Sequence, residues 1–571
     1  MIGTESALRK VPLLARLPAE QLEALGRRLI ERRVAAGEWI LREGEPATSM
    51  FIIRRGHAEV VDEGPPERLI RVLRRGAVVG ELALLTGGTR SASARARQDV
   101  DLLELDRSAF EQLILEAPSF ALGLVRTMGA QLAATRGEQT RGTPPRTITV
   151  LGLDVAAPVA EVADSIAAGL RKFGSVALLR EGDLNAIEQA ERDADRVVMG
   201  AGPADDDRDE WTNLSLAEAD VVLAVTTGVP SPAWMRRNLL LTGCELLVFG
   251  PRLADGALES FRPRELQVVA DPSARREALE SLSRRLAGRS VGIVLSGGGA
   301  RALAHLGVLE ELDAAGIRLD RIAGVSLGSL VAASAAAGFT HEEMYERFSG
   351  AFVEGNPTND YAPPAYSLIR GHKARRLIAA AFGELRIEEL PRRFFSLSVD
   401  LISHETILHR TGRIMDAVYP SMAIPGVFPP VATPDGRLLV DGGVLDNLPV
   451  ATMSRTGEGP VIGVDVGGKR GDFRKQHPPL VNRMLTPVRR ALTGSEAEIP
   501  RIGETIIRTV AVGSIDSAVA AQTHADLAIT PAVDEIGLMD WKMFPRMREL
   551  GRRAVRQALE ADPERAERLR A

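Results

Sequence analysis

Cysteine is almost missing from this chain. Cys244 is the only one in 571 residues, so no intrachain disulfide can form and the sequence fits a reducing compartment. An excess of one charge is missing too: the formal net charge is −5, which gives no electrostatic argument for a nucleic-acid partner. The opening stretch, MIGTESALRKVPLLARLPAE, mixes charges among apolar positions and has no signal-peptide core. No G-x-x-x-x-G-K-[ST] loop occurs, so nucleotide hydrolysis has no chemical support. Of long apolar runs there is one, residues 322–339, uncharged over 18 positions. It consists mostly of Gly, Ala and Ser and reads as a buried strand plus a core helix, not a membrane span. These absences predict a cytoplasmic chain, free or peripheral to a membrane, with no signal peptide and no transmembrane helix.

What is present is ordinary globular material, 45% hydrophobic and 26% charged. The length exceeds one core and predicts about three domains, placed at 1–140, 146–288 and 289–571. In the first, short β-type runs at 37–41, 50–53, 58–61, 69–73 and 100–105 are separated by turn formers at 43–46, Gly56, 64–66 and Gly76, the spacing of a small β-roll or barrel. A helix is predicted over 107–135, capped by Asp106.

Inside this domain lies Gly80-Glu81-Leu82-Ala83-Leu84-Leu85, followed by Arg90-Ser91-Ala92-Ser93. Chemically this is a short helical turn with one carboxylate, then a guanidinium beside a hydroxyl and exposed amides. Arg90 can pair with a phosphate while Glu81 accepts from a ribose hydroxyl. Together with the Glu43-Gly44-Glu45 turn, the stretch resembles the phosphate-binding cassette of cyclic nucleotide-binding domains, with Val79 where an aromatic is common. The resemblance implies that Glu81, beside Gly80, holds the ribose, and that Arg90 with Ser91 holds the cyclic phosphate of cyclic AMP or cyclic GMP as an effector. The competing reading is a Glu81–Arg90 salt bridge in a domain that kept its fold and lost its ligand. No compact basic recognition helix follows the domain, so DNA binding is rejected.

The middle domain alternates apolar runs (147–153, 176–179, 220–225, 245–249) with helical patterns such as 159–173, which implies a parallel α/β sheet. Its acidic run at 205–210 reads as a solvated loop and not as a divalent-metal site, and no metal site is predicted. A structural or coupling role is expected.

The third domain carries the chemistry. The run Val291–Leu295 reads as a buried strand ending in Gly297, Gly298 and Gly299, with a helical pattern from Ala300. Gly324-Val325-Ser326-Leu327-Gly328 then sits between a short apolar run and an alanine-rich helix. This is the sequence form of a nucleophile elbow, in which Gly324 and Gly328 let neighbouring backbone approach an exposed serine hydroxyl. The glycine turn upstream offers N–H groups for an oxyanion. Further on, an apolar strand delivers Asp441-Gly442-Gly443, and an aspartate at a strand end can accept the Ser326 proton.

The order G-G-G-A-R, G-x-S-x-G, D-G-G, with residues 305–309, 422–430 and Asn447-Leu448-Pro449, resembles the patatin-like phospholipases over 291–550. Ala302 stands where the family usually has glycine. With the N-terminal domain added, the layout is similar to the neuropathy target esterase group of lysophospholipases. The resemblance implies an α/β domain with a mostly parallel sheet and a Ser326–Asp441 dyad without histidine. It places an oxyanion hole at Gly297, Gly298 and Gly299 with Arg301 near it. It further implies a phospholipid or lysophospholipid acyl ester as substrate, met at a membrane surface, with no cofactor required.

Two other readings remain. A Ser-His-Asp triad is permitted by chain order, because His477 and His524 follow Asp441. Neither histidine has a loop context that points to a site; His524 reads as a helix end before a strand, and His305 as a residue that packs or hydrogen-bonds locally. A non-enzymatic cyclic nucleotide sensor with a dormant hydrolase domain is opposed by the intact serine, aspartate and glycine set. Arg370, Lys373, Arg375 and Arg376 read first as a solvated helix face, with attraction of anionic headgroups as the alternative. Phe428 lines an acyl pocket or anchors the core, and Asp446 stabilises the turn after Asp441.

Overall fold

The computed structural model describes Leu14 and residues 18–121, 144–467 and 524–570, apart from 36, 63–67, 74, 98, 118–119, 203–208, 237–240, 242 and 364–366. These divide into two compact units, one drawn from 1–140 and 145–266, the other from 141–144 and 267–571.

The first unit begins with a β-roll of two four-stranded antiparallel sheets. One runs Ile30–Val34, Val100–Asp106, Ser49–Arg55, Val78–Val79; the other Trp39–Leu41, Ser93–Ala96, Ala58–Asp62, Arg68–Leu73. Asp106 caps the helix Arg107–Glu116, its carboxylate accepting from the Ala109 N–H at 2.8 Å. The predicted continuation to 135 lies outside the described residues past Ala121, as does the turn at 64–66. The same unit holds a six-stranded sheet in which Val176–Leu179, Arg196–Ala201, Thr147–Gly152, Val221–Thr226 and Glu245–Val248 lie side by side and parallel. Arg196–Ala201 was not anticipated from the sequence. Of the acidic run, Asp209 caps the helix Glu210–Glu218, accepting from the Trp211 N–H, and 205–208 lie outside the described residues.

The second unit is built on an eight-stranded sheet. Five strands run parallel in the order Arg393–Asp400, Leu319–Gly324, Val291–Leu295, Val461–Val464, Leu527–Ile529. Leu438–Asp441 and Thr406–His409 both pair antiparallel with Arg393–Asp400, and Val431–Ala432 closes the edge. The chain is therefore a multidomain α/β protein whose last sheet is mostly parallel. The helix Leu327–Ala336 is buried along its whole length, which accounts for the uncharged alanine-rich run. Helices Ala304–Ala314 and Phe544–Ala561 cross so closely that a Cβ on Gly307 would stand 1.8 Å from the Arg548 carbonyl oxygen. Loops at the C-terminal ends of the parallel strands then converge on one side, where α/β sheets place ligands.

Candidate active site

Ser326 sits at the turn between Leu319–Gly324 and Leu327–Ala336 with φ 53° and ψ −134°, a conformation costing a non-glycine residue about 1–3 kcal/mol. The surroundings enforce it. A Cβ on Gly324 would stand 2.3 Å from the Gly328 carbonyl oxygen, and one on Gly328 would stand 2.5 Å from that of Ser296. The Ser326 N–H donates to Ser421 Oγ at 3.1 Å, and its carbonyl accepts from Ser329 Oγ at 2.6 Å.

Asp441 ends the strand Leu438–Asp441, opposite Ser398 of the neighbouring strand, and is 2% exposed. Burial pushes its carboxyl up to about 7, while a hydrogen bond with the Ser326 side chain and another from the Gly443 N–H (2.8 Å) pull the other way. The structure thus brings Ser326 and Asp441 together. Asp446 accepts from the Leu448 N–H at 3.2 Å, tying the turn that follows.

The glycine turn lies against this pair. A Cβ on Gly297 would stand 2.8 Å from the Ser326 Cβ. Its N–H, however, donates to Asn447 Oδ1 at 3.0 Å, and Asn447 Nδ2 donates back to the Gly297 carbonyl at 3.2 Å. That clamp removes one of the three expected oxyanion donors. Gly298 and Gly299 keep amides for which no protein acceptor is found among the described residues, and Gly299 lines the same cleft as Ser326. Arg301 stands beside this turn, its N–H donating to the Gly298 carbonyl. It is buried, and its guanidinium donates to the carbonyls of Ile536 (2.7 Å), Asp534 (3.0 Å) and Gly467 (3.3 Å). Those bonds pin the segment beyond the last strand. The helix expected from Ala300 starts as a 3₁₀ turn, Gly299–Leu303, because the Ala300 N–H goes to the Leu538 carbonyl and the Arg301 N–H to that of Gly298.

Among the described residues, no histidine ring hydrogen-bonds to Ser326 or Asp441; His409 bonds instead to Ser398, the residue opposite Asp441. His305 is fully buried, shares a 2.9 Å hydrogen bond with the Ser296 carbonyl, and is pushed down to about 4 by burial, so it stays neutral with Nε2 carrying the proton. His524 is exposed at the start of the last strand's approach, and His477 lies outside the described residues. No cluster of three metal-ligating side chains is found among the described residues.

Ser326 opens into a cleft walled by Leu327, Leu330, Phe352, Phe428 and Trp541 among others; no lining residue is charged. Phe428 is both a pocket wall and a member of the buried core. Apart from Ser326 and Thr358 the lining residues carry no polar side chain other than the Trp541 indole and the two methionines. Sequence reasoning named Asn447 only within the Asn447-Leu448-Pro449 motif and missed Ser421, Met539 and Trp541.

In the β-roll, Gly80 and Arg90 meet. Arg90 is buried and donates to the carbonyls of Gly80 (2.9 Å) and Ser49 (2.7 Å), and burial lowers its pKa. Gly80, at φ +86°, leaves no room for a side chain, since a Cβ would stand 2.5 Å from Arg90 Nη1. Glu81 is buried in the first turn of Glu81–Thr86, while Ser91 stays exposed.

Comparison with known proteins bears on both sites. Residues 293–453 match the patatin-like phospholipase family and residues 31–117 the cyclic nucleotide-binding domain. An uncharacterised NTE family protein of Mycobacterium tuberculosis is 32% identical, covering 98% of this chain and 98% of its own. Lysophospholipase NTE1 of Phaeosphaeria nodorum is 25% identical over 96% of this chain, which spans 44% of that protein. Among solved structures, the regulatory domain of Toxoplasma gondii PKA with cAMP is 28% identical over 19% of this chain and 42% of that chain, with a TM-score of 0.19. Among the described residues, no helix is long and apolar enough to cross a membrane.

Proposed function

This chain belongs to the NTE family and is a lipid-ester hydrolase, and from that premise we propose that it cleaves phospholipid or lysophospholipid acyl esters with a Ser326–Asp441 dyad, under the control of a cyclic nucleotide. Ser326 Oγ attacks the acyl carbonyl carbon as Asp441 takes its proton. The oxyanion that forms is met by the Gly298 and Gly299 amides. Asp441 returns the proton to the departing alcohol, leaving an acyl-serine. Water, deprotonated by Asp441, then releases the fatty acid and restores the hydroxyl. The acyl chain occupies the apolar cleft during both halves.

The observation that carries this reading is buried Asp441 beside Ser326, which lines a cleft with no charged wall. An aspartate held near 7 by burial has the basicity of a general base at neutral pH. The same proposal divides the chain into a nucleotide-binding β-roll to residue 140, a coupling domain over 146–288 and the hydrolase from 289, in a cytoplasmic protein that works at a membrane surface. Glu81 and Arg90 are the proposed nucleotide ligands, and Gly80 and Arg90 already stand together.

The test is a lipid-panel hydrolysis assay with and without cyclic AMP and cyclic GMP, paired with fluorophosphonate labelling. Ser326→Ala should lose label and turnover, whereas His477→Ala and His524→Ala should keep both. Loss of labelling in either histidine variant, with folding intact, would replace the dyad by a triad. No calorimetric heat with either nucleotide, together with unchanged activity, would remove the regulatory half.

A further inference from the structure

Among the described residues of the second unit, five large apolar side chains are exposed: Tyr361, Leu401, Ile402, Leu445 and Met539. Single exposed apolar residues are normal; these five are not scattered. Met539 lines the cleft while remaining 45% exposed, so it stands at the mouth. Leu445 lies between Asp441 and Asn447, both of which meet the Ser326 neighbourhood. Tyr361 bridges to Ile369, whose N–H bonds to Val427, a cleft wall.

Leu401 and Ile402 follow the C-terminal end of Arg393–Asp400. Gly324 pairs with Ser396 in the parallel register, so this tip projects beyond the level of Ser326 on the same side of the sheet. Ile402 is 64% exposed. A basic element borders the same opening. The helix His372–Phe382 turns Ala374, Leu377 and Ile378 toward the cleft and leaves Arg375 and Arg376 exposed, with Arg370 exposed just before it. Apolar tips around a mouth, flanked by guanidinium groups, match the layered chemistry of a lipid surface, in which anionic headgroups lie above acyl chains.

We propose that this rim seats the hydrolase on a lipid bilayer carrying anionic headgroups, so that the acyl chain enters the cleft from assembled lipid and not from solution. This rests on the acyl-ester reading above, with Leu401 and Ile402 as the tips that dip below the headgroups. The full chain with Ser326→Ala, which leaves the lipid intact, is sedimented with phosphatidylcholine vesicles made with or without phosphatidylglycerol.

Adding Leu401→Asp and Ile402→Asp should cut the bound fraction at least about 10-fold. Arg376→Glu should weaken binding to the phosphatidylglycerol vesicles alone, and salt should mimic it. With Ser326 restored, the Leu401→Asp/Ile402→Asp chain should hydrolyse a soluble p-nitrophenyl ester as well as the parent while losing vesicle hydrolysis. Equal vesicle binding with and without the aspartates, no binding by the parent, or equal loss on the soluble ester would overturn the proposal. So would self-association without lipid that the aspartates abolish. A wild-type chain that binds vesicles but hydrolyses neither substrate would uphold the seat and sink the hydrolase reading.

Discussion

Replacing Asp441 by asparagine separates what the carboxylate does from what it costs. The group sits at about 7 instead of 3.8 because it is buried, and about 1.4 kcal/mol corresponds to each pH unit of displacement. Its ionised form therefore weakens the folded state by up to about 4 kcal/mol. Since the folded value lies above the unfolded one, this penalty is absent below 3.8, grows as pH rises and is complete above about 7. Asparagine keeps an oxygen for the Gly443 N–H and carries no charge. Urea unfolding should show Asp441→Asn matching the parent near pH 4 and exceeding it progressively up to pH 8, by as much as about 4 kcal/mol. Activity should move the other way. Without a base, turnover on a p-nitrophenyl ester should fall by about 10²–10⁴, and the parent's rate should climb with pH to a plateau above about 7. A variant that is less stable than the parent at pH 8, or that retains parental turnover, refutes the assignment of a buried, proton-accepting carboxylate.

Three further outcomes follow from the same site. Gly297→Ala sets a methyl 2.8 Å from the Ser326 Cβ and 2.6 Å from Asn447 Oδ1, and fluorophosphonate labelling should slow at least about 10²-fold. Arg301→Met strands three carbonyls that now accept from it. It should lower stability by about 3 kcal/mol while turnover per folded molecule is kept, in contrast to the roughly 10²–10³ loss that a missing oxyanion donor causes. Burial lowers His305 from 6.5 to about 4, so its contribution is whole above 6.5 and lost as pH falls through 4, up to about 3 kcal/mol. Asp441 gains stability over much of the same descent, so the His305 slope should be measured by acid unfolding in the Asp441→Asn background, where His305→Asn should flatten it.

What the sequence disclosed was whatever local geometry dictates. Gly324 and Gly328 must be glycine because backbone oxygens lie within 2.5 Å of where a Cβ would go, so the elbow is written in five consecutive letters. Long-range partners are not written that way. Asn447 reaches Gly297 across 150 residues and Ser421 reaches Ser326 across 95; the motif names Asn447 without its partner, and Ser421 is not unusual in its own neighbourhood. Arg301 was placed near the oxyanion hole by the resemblance alone, and nothing local discloses that its acceptors Asp534 and Ile536 lie more than 230 residues on. The strand Arg196–Ala201 escaped notice because it is a short run behind a charged segment, and its burial comes from parallel partners on both sides.

The same contrast explains how a serine can be activated here without imidazole, on the proposed mechanism. A histidine base works because its unperturbed basicity falls near neutrality, whereas a solvated carboxylate is too weak by about three pH units. Burial closes that gap. It lifts Asp441 to about 7, and it does so without a neighbouring charge, through strand ends and glycines packed around the group. Asp441 can then touch Ser326 directly, because Gly442 and Gly443 carry no side chains: a Cβ on Gly442 would stand 2.5 Å from the Leu397 carbonyl oxygen, and one on Gly443 3.1 Å from Asp441 Oδ1. The helix that starts at Leu327 adds its positive end where the alkoxide forms. Basicity, contact and charge stabilisation thus come from packing around one carboxyl group. The cost is the ionisation penalty that Asp441→Asn is designed to expose.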